Sequence, residues 1–414
     1  MSLILRYGAN SRVEFELPST ALVADCRTPR GAPVADLTVA ASAALEQPLD
    51  FPPLRQSVVS GDRVAVALEP AVPQASLLVS AVVSHLLGAG IAAGDISIVH
   101  PGTDRAGADD ALRRELPAAV RKSIEIVAHD PAHRDGLSYL AANRDGDPIY
   151  IDRRLVDADV VLPIGCIRLP STPGYFGVNA TLYPTFSDAA TLDRYHAIDA
   201  EPSTDDTSRR RQEADEIAWL LGVLLTIQVV PATAGGVLHV VAGKTESVER
   251  RGEALSQSAW QFEIPRRAQL VVAAIEGGED QQTWDNVGRA IAAAARVVAD
   301  DGAIALCTDL ATPPGPALAC LARARDLADA ERHIRRQHSA DAGVAHALAA
   351  ALERGRVYLL SRLDESVVED LGMAPVGDSS DIARLIQRHP SCILLGNAQF
   401  AQPTAAAETA EQLR

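Results

Sequence analysis

The spacing of hydrophobic residues changes period several times along the chain, and each change marks a predicted element. Residues 1–60 alternate short apolar runs with Pro and Gly, which reads as irregular β-structure followed by a helix over Val34–Glu46. The pattern then sharpens. Arg63–Leu68 (RVAVAL) predicts a strand, Gln74–Leu87 an apolar helix stopped by Gly88 and Gly90, and Asp95–His100 (DISIVH) a second strand. Strand, helix, strand in that order is the unit of a parallel sheet. Asp109–Lys122 predicts a charged helix interrupted at Pro117. Ser123–Val127 predicts a strand, Pro148–Ile151 an extended segment, and Val160–Ile164 a strand that opens onto a loop over 165–184 rich in Gly, Pro, Tyr and Asn. Long loops after the strands of α/β sheets are where sites tend to lie. A helix start is expected over Thr191–Ala197 and a polar linker over Glu201–Ser208.

Ile217–Gly243 carries no Asp, Glu, Lys or Arg, which is long enough to span a bilayer. Gln228, Pro231, Thr233, Gly235, Gly236 and His239 spoil that reading. Two β-branched runs around a Pro…Gly-Gly turn predict a short helix followed by a buried β-hairpin. The composition shifts at Ile264-Pro265-Arg266-Arg267. Beyond it, strands are expected at Leu270–Ile275, Ala303–Thr308, Val357–Ser361 and Cys392–Gly396. Helices are expected at Asp285–Asp300, over most of Arg323–Ala351, and at Asp381–Arg388. This divides the chain into an N-terminal domain (1–264), a Rossmann-like α/β domain (265–400) and a tail (401–414) that is loose or docked. Each domain is expected to hold a mainly parallel sheet flanked by helices, with a ligand cleft between the two.

Composition narrows the partners. The chain has 414 residues, a formal net charge of −16 and no basic stripe with interleaved aromatics, which argues against nucleic acid. Five scattered cysteines without CxxC spacing fit reduced thiols in a cytoplasmic setting and do not form a zinc motif. The basic residues are nearly all arginine. Lys122 and Lys244 are the two lysines, so a mechanism needing a nucleophilic or tethering lysine has two candidates.

Several motifs have plain structural readings. Gly88–Gly94 follows a helix rather than a strand, so it reads as a helix stop and not a dinucleotide loop. Ala242-Gly243-Lys244-Thr245 resembles the end of a P-loop, but Leu238 stands where the first glycine belongs. His129 and His133 are separated by Pro131, which spoils a helical metal pair. Asn286 and Arg289 are three apart on a predicted helix that starts at the carboxyl end of a strand, where open sheets bind ligands.

The stretch Ile164-Gly165-Cys166-Ile167-Arg168-Leu169-Pro170 and onward through Gly174-Tyr175-Phe176-Gly177-Val178-Asn179-Ala180 to Tyr183-Pro184 resembles a loop of the nickel-pincer-dependent lactate racemases. Tyr7-Gly8, the segment Glu69–Pro73, Gly102-Thr103-Asp104-Arg105, His196, and Asn286 with Arg289 resemble further family segments in the same order. The resemblance implies a two-domain α/β lactate racemase-like fold and an isomerase (racemase or epimerase) acting on a 2-hydroxy acid. The departures fall on the chemistry. Ala180 stands at the position of the lysine that tethers the nickel-pincer nucleotide, which argues against that covalent cofactor and leaves any cofactor unassigned. Asp104 and Pro170 replace the two catalytic histidines, and Val72 and Glu69 replace an arginine and an aspartate. His196 alone keeps a family metal-ligand position. The resemblance therefore nominates Glu69, Asp104 and His196 as acid–base groups. Arg168, Tyr175, Tyr183, Asn286 and Arg289 are nominated as contacts to a small anionic or hydroxylated ligand, with neither nucleic acid nor membrane as partner. A non-catalytic ligand- or partner-binding protein on the same scaffold is the alternative, and the oligomeric state is left open.

Overall fold

The computed structural model describes residues 2–102, 107–170, 172–196, 204–324 and 326–406. Its two large sheets have six strands each. In the first, the order is Val237–Gly243, Thr226–Pro231, Val160–Cys166, Val64–Leu68, Ile96–Pro101, Glu125–His129. All neighbours are parallel except the edge hairpin Thr226–Pro231/Val237–Gly243. The central strand Val64–Leu68 is buried throughout, as its unbroken apolar run requires of a strand covered on both faces. Helix Ala75–Gly88 packs on one face through Leu78, Val79, Val82 and Leu86, positions that recur at helical spacing.

The second sheet has the order Ala374–Pro375, Arg356–Leu360, Val298–Cys307, Ala268–Ala274, Cys392–Leu395, Leu22–Cys26, all parallel. Its last strand comes from the N-terminal segment. The hairpin Ser2–Tyr7/Ser11–Glu16 also packs on this sheet, with Leu5, Val13 and Phe15 against Leu270, Val272 and Leu394. Residues 2–26 thus sit with the second sheet and not within an N-terminal domain running from 1 to 264. Their short alternation of apolar and polar positions carries no information about which sheet they join.

Other boundaries shift for local reasons. The stretch read as a polar linker is helical from 204, within helix Thr204–Leu220, whose buried stripe among the described side chains is Ala214, Ile217 and Ala218. The helix expected to reach Asp300 ends at Ala295, and Val298–Asp300 begin the next strand. Leu137–Ala142, unassigned from sequence, pairs with Pro148–Asp152, the turn being closed by Asn143 Oδ1 accepting from the Asp145 and Asp147 amides. The tail is docked at its start, because Gln402–Ala405 pairs in parallel with Gln261–Ile264. No helix among the described residues is long and apolar enough to cross a membrane.

The carboxyl ends of the two sheets face each other. Ala71, just past strand Val64–Leu68, accepts a hydrogen bond from Gln281 Nε2, just past strand Ala268–Ala274 (2.9 Å). The Ala234 amide, past Thr226–Pro231, donates to Glu276 Oε2 (3.1 Å). Gln402 Nε2 donates to Thr172 Oγ1 at 3.0 Å and ties the docked tail to the long loop.

Candidate functional site

In the first sheet the chain runs outward from Val64–Leu68 through two strands on one side, then returns to place Val160–Cys166 on the other side. The crevice at that reversal is where open α/β sheets bind ligands. Glu69 and Arg168 emerge there. Glu69 Oε1 accepts from Arg168 Nη1 at 2.6 Å, and its Oε2 accepts the Cys166 amide at 2.7 Å. Arg168 also donates to the Cys166 carbonyl at 3.2 Å. Both partners are shielded from solvent, with side-chain exposures of 7% for Arg168 and 15% for Glu69. Burial works against the Arg168 charge, but Glu69 and its neighbours hold the pKa above the ordinary arginine value. Cys166 is fully enclosed, and burial pushes its thiol up to about 11, so it remains protonated and is no nucleophile. Gly165 makes this cluster possible. A Cβ there would stand 2.3 Å from Thr181 Oγ1 and 2.7 Å from both Gln228 Oε1 and Glu69 Oε2.

The opposite wall is helix Trp284–Ala295, capped by Thr283 accepting from the Asn286 amide. Asn286 is buried and donates through Nδ2 to the Gln281 carbonyl (2.9 Å), while its Oδ1 accepts from Arg289 Nη1 (2.9 Å). Arg289 reaches towards the first sheet. Its pKa is lowered to about 10, first by burial and next by the positive charge of Arg168. Among the described residues Arg289 has no salt bridge. Across the cleft, His196 ends helix Ala189–His196. Burial lowers its pKa against the opposing pull of Asp285, Asp193 and Asp341, so it is neutral near pH 7.

The two nominated tyrosines part company. Tyr175 is buried beside this cluster, and among the described residues its hydroxyl has no hydrogen-bond partner. Burial first, then the charges of Glu249 and Glu69, raise its pKa, with Arg168 opposing them. Tyr183 points instead into the core under helix Thr204–Leu220. There its ring meets Tyr195 edge-on and its hydroxyl donates to Glu213 Oε1 at 2.8 Å. It is a packing residue and is removed from the set of ligand contacts. Asp104 lies outside the described residues. The structure therefore brings Glu69, Arg168, Tyr175, Asn286 and Arg289 to one region, with His196 in electrostatic reach of Asp285 at the start of the Arg289 helix. It adds Gln281, which bridges the walls, and Glu249, which carries a buried oxygen without a partner and pairs with Arg211. Neither added residue sits in a motif. Gln281 gives no signal beyond its closeness to Gly277-Gly278.

The position that the resemblance assigns to a tethering lysine carries no amine. Ala180 offers a methyl group on the turn Val178–Thr181. Lys122 precedes strand Glu125–His129 and so lies at the amino end of the sheet, away from the cleft. Lys244 is exposed after the edge strand and faces Glu246 at 3.7 Å. No three His, Cys, Asp or Glu side chains among the described residues converge as a metal set. His129, the other half of the His129/His133 pair, is consumed by Asp152 Oδ2 (3.0 Å) and the Ser187 carbonyl (2.9 Å).

Two doubly wound sheets meeting by their carboxyl ends over a buried charged cluster define a two-domain α/β protein with its cleft between the sheets. Residues 7–207 match the lactate racemase N-terminal domain. The chain's fold is that of the lactate racemase apoprotein from Thermoanaerobacterium thermosaccharolyticum, with a TM-score of 0.79 at 16% identity over 97% of this chain and all of that one. A protein from Thermotoga maritima of known crystal structure is similar at TM-score 0.64 and 15% identity, over 89% of this chain and 97% of the other. No curated protein matches by sequence.

Proposed function

We propose that the cleft binds a small anionic, hydroxylated molecule of the 2-hydroxy acid class through Arg289, without the covalently tethered nickel-pincer nucleotide. The observation that supports this best is the contrast between the two arginines. Arg168 is matched by Glu69, whereas Arg289 is desolvated, repelled by Arg168 and hydrogen-bonded among the described residues only to the neutral Asn286, with Asp285 and Glu69 acting on it at longer range. A buried charge is stable when paired. With Nη1 fixed by Asn286, the guanidinium fork is oriented to grip a carboxylate by two parallel hydrogen bonds. The unpartnered Tyr175 hydroxyl and Arg168 Nε are further polar atoms of the same region that a hydroxylated ligand would satisfy. The net charge of −16 fits a small-molecule ligand better than nucleic acid, and neither nucleic acid nor membrane is a partner in this reading.

Binding without turnover is favoured over catalysis. Both oxygens of Glu69 are engaged, Pro170 has no proton to move, and Ala180 cannot hold the family's cofactor. One observation keeps an isomerase relative with altered chemistry as the second reading. His196 is neutral and half-buried, so it is competent to accept a proton from a ligand carbon. Calorimetric titration with D- and L-lactate and larger 2-hydroxy acids, with chiral analysis of the same samples, separates the two. Saturable binding that Arg289→Met weakens, without interconversion, is the expected result. Interconversion would select the second reading. Absence of saturable binding to every acid would overturn both.

A further inference from the structure

Away from the cleft, helix Thr204–Leu220 and the hairpin Leu137–Ala142/Pro148–Asp152 enclose a pocket of about 270 Å³. Its floor is apolar, from Ile149, Ile217 and Tyr195, and its rim carries four arginines and four carboxylates. Some of these are already paired within the chain, as Arg144 with Glu216 at 3.0 Å and Arg194 with Asp147 at 3.3 Å. Gln212 and Glu216 line the pocket, and Trp219 continues the same stripe at the i, i+4, i+7 spacing of one helix face. Trp219 is 78% exposed, and Leu224 (65%) and Tyr139 (58%) are bared on the same helix–hairpin unit. A large aromatic held in water beside an apolar-floored pocket is the composition of an interface anchor and its socket.

We propose that this face pairs two copies of the chain about a two-fold axis, the Trp219 indole of each entering the pocket of the other. Two features favour a second copy over another occupant. A knob and a socket adjacent on one helix are self-complementary, as a two-fold contact demands. The rim is also charge-balanced. On a chain of net charge −16, a rim whose described lining carries four arginines and four carboxylates is where two copies meet with less repulsion than a net-acidic surface gives. A cavity of this size accepts an aromatic ring.

The test is the mass in solution of the full chain by analytical ultracentrifugation across a dilution series. Tryptophan emission is read on the same samples. Trp260 and Trp284 are buried, so the red edge of the emission reports Trp219. The expected result is a concentration-dependent doubling of mass, with a blue shift of the red edge as dimer forms. Trp219→Ala should abolish the dimer and leave the far-UV spectrum, and the melting temperature at concentrations where the wild type is monomeric, unchanged, because the side chain is exposed. Glu216→Arg, which unbalances the rim, should weaken the dimer by tenfold or more and do so less at high salt. A wild-type chain that stays monomeric at the highest concentration would overturn the proposal. So would a Trp219→Ala variant that still dimerises, or a blue shift produced by neutral phosphatidylcholine vesicles without any change of mass in their absence.

Discussion

Arg168 and Arg289 stand on facing walls of one cleft and differ in a single respect. The first meets a carboxylate at 2.6 Å, while the second meets only an amide oxygen. Their titration follows this difference. Burial opposes both charges, yet Arg168 ends above the ordinary arginine value and Arg289 below it. Glu69 has therefore become part of the scaffold. It closes the crevice of the first sheet and holds the Cys166 amide, with each of its two oxygens already accepting a hydrogen bond from the chain. In the proposed reading, the Arg289 charge on the second wall is the one that meets a ligand.

The sharpest way to break this contrast is to remove the match. Glu69→Ala leaves Arg168 buried without a counter-charge. It should cost about 3–5 kcal/mol of stability, the usual effect of breaking a buried pair from one side, read from urea unfolding curves. A loss below 1 kcal/mol would mean that the pair is solvated and carries little. Removing the unmatched charge should do the reverse. Arg289→Met should leave the unfolding midpoint unchanged or raised. It should also weaken binding of a 2-hydroxy acid by about 1.5–3 kcal/mol, roughly ten- to a hundredfold, by calorimetry. Equal destabilisation by the two variants would erase the distinction.

A smaller effect comes from pH. Burial holds the pKa values of His85, His196 and His239 below the ordinary histidine value. The unfolded chain therefore takes up protons first on acidification. Stability is full above about pH 6.5 and falls as pH drops through the lower folded-state values. Replacing His196 with Gln should flatten part of that acid-side loss in melting curves taken between pH 7 and pH 5. A steeper loss would show that the folded chain favours the charged form. The smallest effect separates the tyrosines. Tyr183→Phe should cost about 1 kcal/mol by losing the bond to Glu213 and leave ligand binding untouched. Tyr175→Phe removes a hydroxyl without a partner, so it should not destabilise the chain, and any change it causes should appear in binding.

Much of the central architecture was legible because buried parallel strands are unbroken apolar runs. Val64–Leu68, Val160–Cys166 and Ala268–Ala274 announce themselves this way, and so does the hairpin after Leu220. Strand partnership was not legible at the chain's ends. Leu22–Cys26 and Gln402–Ala405 are short and only partly apolar, and they are placed by neighbours far off in sequence. The site divided in the same manner. Glu69, Arg168 and Arg289 follow strand or helix positions that the pattern locates. Tyr175 and Tyr183 stand in one loop of similar composition, and their opposite fates depend on a backbone path that the loop residues do not encode locally. Gln281 acts through a single bond to a backbone carbonyl on the other wall, and a bond of that kind has no sequence signature.

The strand Leu22–Cys26 also bears on how the protein is made. Its partner, Cys392–Leu395, is synthesised almost a whole chain later. The early strand must wait with an unfilled edge while the first sheet forms, because the second sheet cannot take its full width until Cys392–Leu395 has been made. Such long-range pairing is slow and exposes sticky edges meanwhile. A gene cut at residue 264 would yield a first fragment with the whole first sheet and an orphaned strand Leu22–Cys26, and a second fragment whose sheet lacks that edge strand. Co-expressed halves would have to trade the N-terminal strand across the cut, which makes this chain a natural candidate for fragment complementation.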